Sequence, residues 1–235
     1  MPRIYIHPLP VRIWHWVNAA GFVVMILTAI QIRYVGLIDV ISFRTAVLVH
    51  NYTGLVLIAN FFVWLGFYLF SDRIRAYLPE MNPRKHFLGS FRQMYFYGYG
   101  IFKGEPNPFH LSIYRKFNPL QSMTYQIVIM MLVPIQFYTG VLMWDAKHFA
   151  SQIEFFGGIR VIDTVHVLIF CALVFYLLVH VYLATLGHTR TAHFKAMFSG
   201  YEDVEEEEAV SAANASGVPP QRATIERPPP PLKAS

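Results

Sequence analysis

The sequence predicts an all-α membrane protein: a four-transmembrane-helix bundle with both termini cytoplasmic and a disordered C-terminal tail. Three observations predict it. The 235-residue chain is 55% hydrophobic and 14% charged, with mean hydropathy +0.39, which excludes a disordered chain and fits a soluble domain poorly. Four apolar runs are each long enough to cross a bilayer. After Gly200 the composition turns abruptly to acids, small residues and prolines, with too little apolar surface to pack.

Residues 1–10 hold three prolines and lack the cationic-then-apolar order of a cleaved signal, so the first run is expected to stay in the mature protein. The runs cover roughly residues 11–33, 46–70, 121–144 and 161–186, with no internal repeat. Short links join the first to the second and the third to the fourth. The middle connection, 71–120, is about fifty residues, polar and rich in Pro, Gly and Tyr. Four spans place both termini and this connection on one side. That side carries twelve Lys and Arg outside the tail, against Arg33, Arg44, Lys147 and Arg160 on the other. The excess makes it the cytoplasmic side. The chain thus divides into a membrane domain, 1–200, and an acidic, proline-rich tail, 201–235. Within the connection, the aromatic stretch 91–102 predicts either a helix lying on the headgroups or a loop over the inner mouth of the bundle.

The basic pI near 9.3 comes from residues in loops between apolar runs, so it reflects membrane topology and implies no nucleic-acid partner. The single cysteine, Cys171, excludes an iron–sulfur cluster, a structural zinc site and a disulfide, and no motif for covalent haem is present. Cys171 is expected to be a small packing residue.

The chemistry rests on histidine. His166 and His180 lie fourteen residues apart in the fourth run, about 40° short of four full helical turns, so both leave one face. They stand roughly 21 Å apart along the axis, one near each membrane surface. Imidazoles at such depths are costly without partners. His15 sits one turn into the first run on its cytoplasmic end, and His50 one turn into the second on its outer end. Sorted by depth, His15 pairs with His180 and His50 with His166. A six-coordinate haem iron takes one imidazole from each side, so paired depth on different helices is what two stacked haems require. Arg12, three before His15, could meet a haem propionate or serve as a positive-inside anchor. Gly54, one turn after His50, and Gly21 would let a porphyrin approach the backbone or let helices pack. Trp14 and Trp16 suit the interfacial belt. His7, His86, His110, His148, His188 and His193 lie in loops or beyond helix ends and are expected at the surface. His188 and His193 could instead face the inner pocket.

The residues resemble the di-haem cytochrome b subunits of respiratory oxidoreductases: the b-type cytochrome of nickel–iron hydrogenases, the gamma subunit of formate dehydrogenase and the cytochrome b of thiosulfate reductase. The resemblance covers about residues 8–200. It rests on Val11-Arg-Ile-Trp-His15-Trp, on His50, on Asn118-Pro-Leu-Gln121, on His166 with His180-Val-Tyr182, and on Lys195-Ala-Met197 with Gly200. It implies two b haems held by His15 with His180 and His50 with His166, in a multi-pass protein of the bacterial inner membrane. It also implies a menaquinone or ubiquinone site near the cytoplasmic haem, with Asn118 and Gln121 as candidates. The implied partners are the iron–sulfur and catalytic subunits of a periplasmic oxidoreductase; the chain itself would hold no primary-substrate catalytic centre. From the residues alone, Asn118, Pro119 and Gln121 also form a capping-box start for the third span. An electron carried inward over this haem spacing would climb the membrane potential by very roughly 1.5 kcal/mol per 100 mV. Two other readings remain at this stage: a stand-alone transmembrane haem reductase serving a soluble acceptor, and a metal or haem transporter using the histidines as a path.

Overall fold

The computed structural model describes residues 3–5, 7–38, 40–71, 83–109, 118–186, 189 and 191–203. Of the sequence expectations, the tail from residue 204 onward, His110 and His188, and the basic residues Arg73, Arg75, Arg115, Lys116 and Arg190 lie outside them. Among the described residues, four helices are long and apolar enough to cross a membrane: α1, Leu9–Arg33; α2, Phe43–Leu69; a third, Pro119–Trp144; and α7, Ile159–Ala184. The observed ends fall within three residues of those read from hydropathy. The third span is not uniform. It comprises α4, Pro119–Ile127, a π-helical turn, Val128–Leu132, and α5, Val133–Trp144. Pro134 lacks the N–H that an α-helix would direct to the carbonyl four residues earlier, and the Val133 N–H reaches Val128 O instead, five residues back. Two shorter helices flank α7: α6, Ala150–Phe155, before it and α8, Ala192–Ser199, after it.

The chain forms two compact units. One holds residues 13–74 and 124–182, hence most of the spans. Its interior is thin: few apolar side chains on the spans are fully buried, and many, such as Leu27, Phe62, Val63, Leu168 and Phe175, are exposed on the surface that lipid covers. Cys171 is also exposed there, so it is not the packing residue expected from its composition. Helices meet through small and aromatic residues. A Cβ added at Gly21 would stand 2.5 Å from Leu57 Cδ2, so this glycine serves the close approach of α1 and α2. Trp14 stacks on Trp64 at 5.3 Å, and Asn60 Nδ2 donates to Trp14 O at 3.1 Å. Val128, Ile169 and Leu173 form one core cluster; Leu142, Ile153 and Ile162 form another, joining α5, α6 and α7. Ser42 caps α2 by accepting from the Thr45 N–H at 3.1 Å.

The second unit holds residues 1–12, 75–123 and 183–235. The aromatic stretch resolves into α3, Pro83–Gly98, followed by a 3₁₀ turn, Gly100–Lys103, rather than a loop. Its apolar side chains Phe87, Leu88, Phe91 and Met94 are exposed, while His86, Ser90 and Gln93 are buried. His86, expected at the surface, is only 7% exposed, because i, i+4, i+7 spacing puts it on the same helix face as Ser90 and Gln93. A two-stranded antiparallel ribbon, unforeseen in the sequence, pairs β1, Arg3–Tyr5, with β2, Tyr201–Asp203. It draws the first three residues of the expected tail into regular structure. The His7 N–H donates to Gly200 O at 3.1 Å, and Gly200 caps α8 at φ +88°.

A Cβ at Gly200 would stand 2.6 Å from Tyr5 Cε2 and 2.9 Å from His7 O. Gly200→Ala is therefore expected to loosen the ribbon at a cost of about 1–3 kcal/mol. Hydrogen exchange at residues 3–7 and 199–203 measures it; unchanged protection there would refute the reading.

Candidate functional site

The four histidines singled out by depth meet in two pairs within one unit. His15 on α1 and His180 on α7 have ring centroids 6.2 Å apart at 49°. His50 on α2 and His166 on α7 have centroids 6.5 Å apart at 62°. A metal ion about 2 Å from one nitrogen of each ring separates two facing imidazole centres by about 6 Å, so both pairs have the spacing that axial ligation needs. Among the described residues no cluster of three or more His, Cys, Asp or Glu could hold a metal ion, and bis-histidine ligation requires none.

The outer pair is braced by polar residues that the sequence reading did not single out. His50 Nδ1 lies 2.9 Å from Thr28 Oγ1 on α1. His166 is held on both nitrogens by α5: Nδ1 lies 2.9 Å from Thr139 Oγ1, and Nε2 lies 3.0 Å from Gln136 Nε2. Their only signal in the sequence was polarity inside apolar runs, which in a span points to function or to a partner. Their separations from the histidines, 22 to 30 residues, carry no local spacing to read. Gly140 was missed as well. A Cβ there would stand 3.3 Å from His166 Cε1, so any side chain at this position presses on the imidazole.

Around the inner pair, His180 stacks on Tyr176, one turn earlier on α7, at 5.7 Å and 29°. His15 Nδ1 is buried with no hydrogen-bond partner among the described residues, and so is Gln136 Oε1. Orphaned polar atoms beside paired imidazoles, with a glycine at the ring, suit a bound planar cofactor better than a self-satisfied polar core.

The remaining candidates have more local surroundings. An added Cβ at Gly54 would meet only Met25 Cε, at 3.8 Å, so the backbone of α2 one turn after His50 is open. Arg12 donates from its guanidinium to Phe198 O, while its buried Nε has no partner among the described residues. Asn118 and Gln121 form the reciprocal capping box: the Asn118 N–H donates to Gln121 Oε1 at 3.1 Å and the Gln121 N–H to Asn118 Oδ1 at 2.7 Å. Asn118 is 3% exposed, and its Nδ2 also donates to the Tyr97 hydroxyl at 3.1 Å. Burial raises the pKa of Tyr97 above the usual phenol value, while the hydrogen bonds of Gln93 and Asn118 oppose the shift.

The profile of one protein family, described as prokaryotic cytochrome b561, matches residues 6–200. A relative from Escherichia coli (strain K12), provisionally named cytochrome YdhU, is 32% identical over 204 residues, covering 85% of this chain and 74% of its own length. No solved structure matches.

Gly140→Val is expected to displace the His166 ring and to lower the haem bound per chain. Gly66→Ala, where an added Cβ meets nothing within 4 Å, is expected to leave it unchanged. Haem absorbance per mole of purified chain distinguishes the two, and equal haem in both variants would remove Gly140 from the site.

Proposed function

The chain belongs to the prokaryotic cytochrome b561 family, and from that premise we propose that it is a membrane-anchoring di-haem subunit joining a periplasmic redox enzyme to the quinone pool. Members are membrane cytochromes that carry b-type haem and pass electrons across the membrane, partnering redox enzymes. This chain is accordingly a multi-pass protein of the bacterial inner membrane.

The observation that carries the finer reading is the pair of imidazole couples, at 6.2 and 6.5 Å, sharing one helix. His15 and His180 hold the inner haem; His50 and His166 hold the outer. When bound, each haem supplies a one-electron iron couple. The protein's part would be to supply two imidazoles to each haem and to keep water out with apolar spans. Gly54 leaves the backbone open to the macrocycle beside His50. Arg12 lies one turn before His15 on α1 and offers to a propionate its Nε, which has no partner among the described residues. Residues 1–200 form the cytochrome domain, with both termini on the cytoplasmic side, and 201–235 a tail that starts in β2.

Asn118 and Gln121 bind the quinone, menaquinone or ubiquinone, at the start of the third span. Their capping box leaves the second amide hydrogen of Asn118 and further lone pairs for a ligand. The partners are the iron–sulfur and catalytic subunits of an enzyme of hydrogenase, formate dehydrogenase or thiosulfate reductase type, docked on the side of His50 and His166.

Haem extraction from purified protein is expected to give two b haems per chain. His180→Ala is expected to leave one, with the remaining low-spin signal unaltered; a single haem in the native protein would overturn the reading. Asn118→Asp separates the cap from the quinone role, because aspartate keeps the N-cap acceptor and loses the amide donor. Helix stability is expected to stay within about 0.5 kcal/mol, while quinone-dependent haem oxidation falls at least tenfold. Unchanged quinone kinetics would restrict Asn118 to capping.

A further inference from the structure

The two threonines at the outer pair fix more than position. A threonine hydroxyl has one proton to give. Thr28 Oγ1 lies 2.8 Å from Val24 O and Thr139 Oγ1 lies 2.8 Å from Ile135 O, so each donates to its own helix one turn back. With that proton committed, the same oxygens at 2.9 Å from His50 Nδ1 and His166 Nδ1 can only accept. Both imidazoles must then carry their proton on Nδ1 and their lone pair on Nε2. On the far side of His166, Gln136 Nε2 lies 3.0 Å from ring Nε2, the nitrogen an iron would take, so this contact would be given up on ligation and the tautomer rests on the threonines alone. The inner pair is built differently: His15 Nδ1 is buried with no hydrogen-bond partner among the described residues.

We propose that Thr28 and Thr139 are positioning residues that lock His50 and His166 as Nδ1–H tautomers and thereby hold the reduction potential of the outer haem below that of the inner one. The proposal rests on the reading of each imidazole pair as the axial ligands of one haem. An imidazole that donates from Nδ1 to an oxygen is a more basic ligand through Nε2, and more basic axial ligands favour oxidised iron. Two such ligands act on the outer site, whereas His15 makes no such hydrogen bond among the described residues. An electron entering at the outer pair therefore moves to higher potential at the inner pair, which offsets the work of carrying negative charge inward against the membrane potential.

The test is a redox titration of the full-length chain, purified with its haems, followed by the b-haem absorbance and by electron paramagnetic resonance. Thr28→Val and Thr139→Val are each expected to raise one midpoint and leave the other in place. The expected shift is up to about tenfold in the oxidised-to-reduced ratio, about 59 mV for a one-electron couple. The same shift is expected on a His15→Ala background, which keeps the outer haem, and none on a His50→Ala background, which removes it. Thr139→Ser, retaining hydroxyl and back-bond, is expected to restore the native midpoint and resonance signature. If a valine variant loses its haem, a serine variant with native haem and midpoint still supports the role of the hydroxyl. A serine variant as altered as the valine one overturns it. Two haems with both midpoints unmoved in both valine variants refute the tautomer lock and leave the di-haem reading standing. Fewer than two haems in the native chain overturn the di-haem reading itself, and the lock with it.

Discussion

Imidazoles inside apolar spans constrain everything else in this chain. Water is absent at those depths, and an unsatisfied polar group there costs several kcal/mol. Four such groups can persist only if each finds a partner, so they dictate which helix faces meet. α7 contributes two of them from one face, and α1 and α2 each contribute one at matching depth. The bundle is thus arranged around α7, and the buried apolar clusters are small because lipid, not protein, covers most of the surface. Packing density alone could not select this arrangement, since helix association in lipid gains nothing from the hydrophobic effect.

The π turn in the third span is part of the same solution. One additional residue in a helical turn rotates all that follows by about 100°. Gln136, Thr139 and Gly140 all follow the turn at 128–132, and all three bear on His166. A regular helix through Pro134 would aim them at a different azimuth. The proline sets the place for the irregularity, and the side chains after it make use of the new direction.

In the other unit, α3 buries a polar stripe and exposes an apolar one, the reverse of a soluble helix. Its buried groups are engaged locally: Ser90 donates to His86 O at 2.8 Å, Gln93 to Asn107 Oδ1 at 3.1 Å, and Tyr97 accepts from Asn118. Gly89 allows the close approach to Pro119, whose ring would lie 3.0 Å from an added Cβ. The start of the third span is thus held by its own cap and by α3 together.

The amino-acid sequence by itself determined the four spans, the depth of each histidine and the capping box of Asn118 and Gln121. These depend on quantities local to a segment: the apolar length needed to cross a bilayer, the 1.5 Å rise per residue, and a reciprocal bond between residues three apart. Only the tertiary structure decided that Thr28, Gln136, Thr139 and Gly140 surround the outer imidazoles, that Gly21 serves Leu57, that His86 is buried, and that residues 201–203 pair with 3–5. Each of these depends on the rotation of a helix about its axis or on a meeting of distant segments. Chain spacing fixes height along a helix, but the angle at which one helix faces the next is set by the packing of both.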